Sequence, residues 1–167
     1  MSGLVLVNPE LEARFGDLRA RHDPAARQGM PPHVTLVYPF KPYPELRPED
    51  GARLREVAAA HPALELTFAE VDRFATALWL RPEPSAPIQA LVAAIVAAFP
   101  AWPPYGGEFE TVVPHATLAQ GPPDLLDRIA PMACERLASP VRARVEAVSL
   151  FRTVRRRWLE GERFPLG

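Results

Sequence analysis

The chain has 167 residues, 48% of them apolar and 23% charged, with a formal net charge of −1. That length supports one folded domain or two small lobes sharing a core, and the composition argues against wholesale disorder. The near-zero charge argues against a general polyanion binder. Cys134 is the single cysteine, which excludes an intrachain disulfide and a cysteine metal site. The N-terminus shows no basic segment followed by an apolar run, and the longest apolar stretch, Ala90 to Phe99, is too short to span a bilayer. A cytoplasmic protein, monomeric by default, is the expectation.

Taken in order, Leu4-Val5-Leu6-Val7 reads as a short buried strand ending at Asn8-Pro9. Leu11, Phe15 and Leu18 then recur at helical spacing, with Asn8 as cap and Pro9 in the first turn. Ala25 to Pro31 reads as a polar loop. Val34 to Tyr38 is β-prone, and the prolines from Pro39 to Pro44 are expected to end regular structure there. Pro48 to Ala60 reads as a helix with Leu54 and Val57 inward. Leu64 to Phe68 alternates as a half-buried strand, with Ala75 to Leu80 as its antiparallel neighbour.

Pro82 to Pro87 is the expected boundary between two halves, roughly 1–84 and 85–167, of a single bilobal domain with interleaved lobes. Ile88 to Phe99 reads as a buried helix, and Ala101 to Glu108 as a loop bearing Trp102 and Tyr105. A strand is expected over Thr111 to Ala119, and a helix from Gly121 to about Leu137 with Leu125, Ile129 and Met132 at core spacing. Val141 to Leu150 reads as one strand, paired with Arg157 to Phe164. The pattern is α+β with internal duplication.

The most informative feature is a repeat. Pro32-His33-Val34-Thr35-Leu36 recurs as Pro114-His115-Ala116-Thr117-Leu118, and the chain has only four histidines. On a strand, residues i and i+2 share a face, so each His and Thr project together while Val34 and Leu36, or Ala116 and Leu118, point into the opposite apolar layer. Two halves packed about a pseudo-two-fold axis would bring two imidazoles and two hydroxyls into one cleft. That set suits a phosphodiester. A neutral imidazole acts as base, a protonated one as acid, and Thr hydroxyls donate to non-bridging oxygens. The scheme requires no metal and no cofactor. A single such His would be read as structural; the repetition of both His and Thr is what points to chemistry. His22 and His61, at expected helix ends, read as structural.

The paired motifs resemble the His-hydrophobic-Thr/Ser-hydrophobic signatures of the 2H phosphoesterase superfamily, which includes 2′-5′ RNA ligase-like proteins and 2′,3′-cyclic nucleotide phosphodiesterases. The resemblance implies two similar α+β lobes whose antiparallel sheets form a central groove with helices outside. It implies His33 and His115 as the acid/base pair, Thr35 and Thr117 as phosphate ligands, and a cyclic phosphate at an RNA end or on a nucleotide as substrate, opened to a 2′-phosphate. Formation of a 2′-5′ RNA linkage and non-catalytic RNA or nucleotide binding are the alternatives.

Beyond the phosphate, Trp102 and Tyr105 are the expected base-stacking residues. Tyr38 is expected to face the core by strand alternation. Eight Arg against three Glu between Arg136 and Gly167 make the C-terminal section basic. A solvated strand accounts for that as well as a backbone contact does, with Arg152 and Arg155 as the candidates.

Overall fold

A computed structural model describes residues 1–109 and 111–167. Among the described residues, eight strands form two four-stranded antiparallel sheets. The first sheet has the order β2 (His33–Phe40), β1 (Ser2–Val7), β7 (Ala147–Val154), β8 (Arg157–Pro165). The second has the order β5 (Ala116–Gln120), β4 (Ala77–Glu83), β3 (Leu64–Phe74), β6 (Val141–Val145). The chain is therefore α+β with two sheets, and each sheet draws strands from both sides of residue 84.

The duplication is visible as a recurring strand–helix–motif strand unit. In one copy β1 leads through α1 (Glu12–His22) and α2 (Pro24–Arg27) to β2; in the other β4 leads through α4 (Ala86–Ala98) to β5. In both, the motif strand is an edge strand pairing antiparallel with the strand that began the unit. The remaining helices, α3 (Pro48–Ala59) and α5 (Pro123–Glu135), pack on α4 and β8, and on β3 and β4, respectively. Most of the buried apolar side chains form one continuous core, from Leu4 and Phe15 through Phe68 and Leu91 to Phe164.

Both copies carry the same irregularity. The β1–β2 register runs Leu4 to Val37 and then Val5 to Thr35, so Leu36 is an extra residue. The β4–β5 register runs Leu78 to Ala119 and then Trp79 to Thr117, so Leu118 is extra. These are β-bulges at equivalent places, and a bulge resets which face the following side chains occupy. Leu36 with Val37, and Leu118 with Ala119, are consecutive buried residues.

Several sequence expectations are corrected. β2 continues through Pro39 to Phe40. An edge strand can dispense with one N–H, which is why proline is tolerated there. Ala25 to Pro31 is not wholly a loop: Asp23 caps the short helix α2, accepting from the Ala25 N–H at 2.9 Å. Asn8 does not cap α1, which begins at Glu12 after a 3-10 turn over Pro9–Leu11; the Asn8 side chain is buried without a hydrogen bond. In α5 the buried stripe is Leu126, Ile129 and Ala133, while Met132 is exposed. Two adjacent leucines make the phase of that helix ambiguous from sequence, and the small Ala133 sits against the sheet. Val141 to Leu150 is not one strand. It breaks at Glu146, with β6 in the second sheet and β7 in the first.

α1 is fastened beneath the junction of the two sheets by a buried ion pair. Arg19 and Asp23 are almost completely inaccessible, with Nη2 to Oδ2 at 2.8 Å. The same guanidinium donates to the Met30 carbonyl and to the Thr117 carbonyl, each at 3.2 Å. Removing one member of a buried pair leaves an uncompensated charge, at a cost of about 3–5 kcal/mol. Arg19→Leu is therefore expected to lower unfolding stability by that order in urea denaturation, and Arg19→Leu/Asp23→Leu by less than the single variant. Equal losses in both variants would show that the hydrogen bonds to Met30 and Thr117, rather than the stranded carboxylate, carry the effect.

Candidate active site

The edge strands β2 and β5 approach one another, and between them lies a cleft of about 390 Å³. His33, Thr35, His115 and Thr117 all line it. His33 opens β2, whereas His115 immediately precedes β5, so the strand expected from Thr111 starts later, at Ala116. Pro114 has no N–H to contribute to a ladder, which accounts for the late start. The alternation within each motif holds. Val34, Leu36, Ala116 and Leu118 are buried, and the four motif side chains on the other face are half-buried at the cleft wall.

The two imidazoles are held alike. Nδ1 of His33 lies 2.8 Å from the Pro31 carbonyl, and Nδ1 of His115 lies 2.7 Å from the Val113 carbonyl. Each acceptor is two residues upstream. A carbonyl can only accept, so Nδ1 carries the proton in both rings, and in the neutral form Nε2 is the free base. Burial pushes His33 down from 6.5 to about 4; the Pro31 hydrogen bond opposes this, the Arg19 charge adds to it, and Asp23 opposes it. Burial also pushes His115 down, opposed by its bond to Val113. Positive charge on His115 lowers His33 further, though less than burial does. By contrast, the His61 Nδ1–H donates to the Val57 carbonyl at the end of α3, at 2.8 Å.

Tyr105 lines the cleft, as expected of the loop that bears it. Its backbone is left-handed, with φ 51° and ψ 32°, a region where non-glycine residues are strained. Burial pushes its hydroxyl pKa up. The other expected recognition residues lie elsewhere. Trp102 packs against the main core. Arg152 sits over the Tyr43 ring at 4.2 Å, and Arg155 occupies the β7–β8 turn with φ 47°. None of these three lines the cleft.

Residues outside the expected site also line it, among them Asp23, Tyr38, Gln120 and Trp158. Tyr38, expected in the core, faces the cleft because the Leu36 bulge shifts the phase of β2. Gln120 occupies the equivalent place after the Leu118 bulge. Trp158 of β8 reaches the cleft and meets Tyr38 edge-on, with centroids 5.8 Å apart. The one signal available in the sequence was the leucine repeated in both motifs, which is the bulged residue in each.

Among the described residues, no helix is long and apolar enough to cross a membrane. No group of three or more His, Cys, Asp and Glu side chains among them is gathered as metal ligands would be.

Both histidines are expected to titrate below 6.5 in the free protein by NMR, His33 the lower, with neutral Nδ1–H tautomers at pH 7. The sign for stability follows from burial favouring the neutral ring. The folded state takes up protons less readily than the unfolded state, so the contribution of His33 is fully present above about pH 6.5 and is lost as pH falls toward 4. Between those values His33→Gln should flatten the dependence of unfolding free energy on pH. An unchanged slope would contradict the burial of that ring.

Known proteins with this architecture share the whole chain. The Escherichia coli LigT structure in complex with 3′-AMP superimposes with a TM-score of 0.62 at 18% identity, covering 99% of this chain and 97% of that one. LigT in complex with NADP+ gives 0.60 at 19% identity, covering 99% and 96%. A protein of Thermus thermophilus gives 0.62 at 18% identity, covering 99% and 97%. Among curated proteins, none matches the chain. The model of the 2′-5′ RNA ligase superfamily matches residues 7–157. The two-sheet fold with its paired His-x-Thr strands, and that match over most of the sequence, place this chain in the 2′-5′ RNA ligase superfamily.

Proposed function

We propose that the protein is a phosphoesterase that opens a 2′,3′-cyclic phosphate, at an RNA end or on a nucleotide, to a 2′-phosphate by two-histidine acid/base catalysis. The observation that carries this reading is the matched pair of imidazoles. Both are oriented by an Nδ1–H···O=C bond and line one cleft beside two threonines. The LigT structures solved with 3′-AMP and NADP+ support a nucleotide as the ligand class.

In the proposed reaction one neutral His takes a proton from water through Nε2 as the water oxygen bonds to phosphorus. The bond from phosphorus to the ribose 3′ oxygen breaks, and the second His, protonated, gives its proton to that oxygen. Thr35 and Thr117 donate hydrogen bonds to the non-bridging oxygens as charge gathers there. Each turnover leaves the base protonated and the acid neutral, and proton exchange with solvent restores the pair. Burial is stronger at His33, which favours it as the base; His115, the more readily protonated, is then the acid. Joining through a 2′-5′ linkage uses the same groups in the same sense, with a nucleoside 5′-hydroxyl in place of water as the nucleophile and the ribose 3′ oxygen again the leaving group.

Each of His33→Ala and His115→Ala should lower turnover of 2′,3′-cyclic AMP by about 10²–10⁴-fold while leaving the fold intact by circular dichroism. A p-nitrophenyl phosphodiester, whose leaving group needs no proton, should restore activity to His115→Ala far more than to His33→Ala. Restoration of the His33 variant alone would reverse the two roles. Full activity in either variant on the cyclic nucleotide would end the two-histidine mechanism, and wild-type binding without product would make the protein a binding module.

A pH profile offers an independent check. The acid must be protonated, and burial lowers both imidazoles in the free protein, whereas a bound phosphate raises the one beside it. The kcat/KM optimum is therefore expected on the acid side of the kcat optimum. Coincident profiles would mean that substrate charge does not set the protonation state of the pair.

A further inference from the structure

Beside His115 lies a second cavity, of about 380 Å³, lined by Phe74, Tyr105, Phe109, Thr111, Val112, Val113 and His115. Two of these residues, Tyr105 and His115, also line the histidine–threonine cleft, so the cavities are neighbours sharing a wall. Phe74, Phe109 and Val113 are large apolar side chains left exposed, and here they are gathered around one hollow. Isolated exposed apolar residues are ordinary; a cluster bordering a cleft that holds titratable groups is the usual form of a ligand site.

The ring geometry is built rather than incidental. Phe74 stands perpendicular to His115 with centroids 5.0 Å apart, and rests on the buried Trp79 at 4.8 Å. Tyr105 stands perpendicular to Phe109 at 5.6 Å. Tyr105 holds its partition position through a left-handed backbone, strain of the kind that structures retain at binding sites. The hydroxyls of Thr111 and Tyr105 and the His115 ring are the side-chain polar groups of the lining.

We propose that this cavity is a nucleobase subsite, which holds the base of a substrate whose phosphate lies between His33, Thr35, His115 and Thr117. The inference rests on the phosphoesterase reading and specifies which moiety is recognised and where. Aromatic walls take a flat heterocycle by stacking and edge contact, and a lining this poor in hydrogen-bonding groups reads the ring rather than its edge. The subsite therefore favours purines over pyrimidines by contact area and accepts both. It lies on the His115 side, so it orients the substrate in a cleft whose reacting groups are otherwise nearly symmetric.

The test compares kcat/KM for 2′,3′-cyclic AMP with that for glycerol 1,2-cyclic phosphate, which presents the same strained ring without a base. Wild type is expected to prefer the nucleotide by at least about tenfold, the size of one base stacked on an aromatic side chain. Phe109→Ala should collapse that ratio toward one, and Phe109→Trp should preserve it; Phe109 is largely exposed, so neither change threatens the fold. Binding is read separately, by calorimetric titration with adenosine 2′-phosphate and with inorganic phosphate. Turnover of both substrates at a ratio that Phe109→Ala leaves unchanged overturns the subsite while the phosphoesterase reading stands. Tight binding of adenosine 2′-phosphate that is lost in Phe109→Ala, without turnover of either substrate, keeps the subsite and overturns the reaction. Equal affinity for adenosine 2′-phosphate and inorganic phosphate overturns the subsite whatever the turnover.

Discussion

The buried guanidinium of Arg19 is the interaction on which the cleft depends. It rises from α1, pairs with Asp23, and donates to two carbonyls that belong to different copies of the repeat. One is that of Thr117, whose side chain lines the cleft; the other is that of Met30, next in sequence to Pro31, whose carbonyl orients His33. An alkyl side chain could fill the same volume but could not fix two backbones relative to each other. The net energy of a buried ion pair is often small, and its value here is positional. It sets the β2–β5 separation, and with it the spacing of the two imidazoles.

Arg19 also acts on the chemistry at a distance. Its charge lowers the His33 pKa, while Asp23, which itself lines the cleft, opposes that effect. The pair therefore places a nearly compensated dipole under the site rather than a free cation. Burial is left as the dominant influence on His33. A cleft floored by an unpaired arginine would attract phosphate more strongly but would also resist protonation of either histidine, which the proposed acid needs.

The fold class and the four motif residues were legible because they depend on local alternation and on repetition, both of which are written in the sequence. His33, Thr35, His115 and Thr117 meet because each motif strand lies at the edge of its sheet. The surroundings were less legible, for identifiable reasons. Tyr38 lines the cleft through a bulge, and a one-residue insertion into a ladder reverses the face of all that follows, which a reading by strict alternation from His33 does not anticipate. Trp102 had the composition of a binding residue, but the loop turns it against the core. The break at Glu146 sends β6 and β7 to different sheets. An alternating apolar pattern reports that a strand has a buried face; it does not report which sheet supplies the cover.

The near-symmetry of the reacting groups and the asymmetry of their walls belong together. Two imidazoles with the same tautomer, the same kind of acceptor and the same neighbouring Thr differ chiefly in how far burial lowers them, a bias toward His33 as base that the substrate must reinforce. The proposed reaction needs one of each at the same moment. In the free protein burial holds both toward the neutral form, so the protonated state must arrive with the phosphate, whose negative charge raises the pKa of the nearer ring. Which ring is nearer then depends on how the remainder of the substrate is seated. Tyr38 and Trp158 flank the cleft from the first sheet, and Phe74 packs against His115 from the second. These walls differ in shape and polarity although the motifs do not. In a duplicated site of this kind, the recognition elements can do what the matched histidines alone cannot, which is to choose a direction.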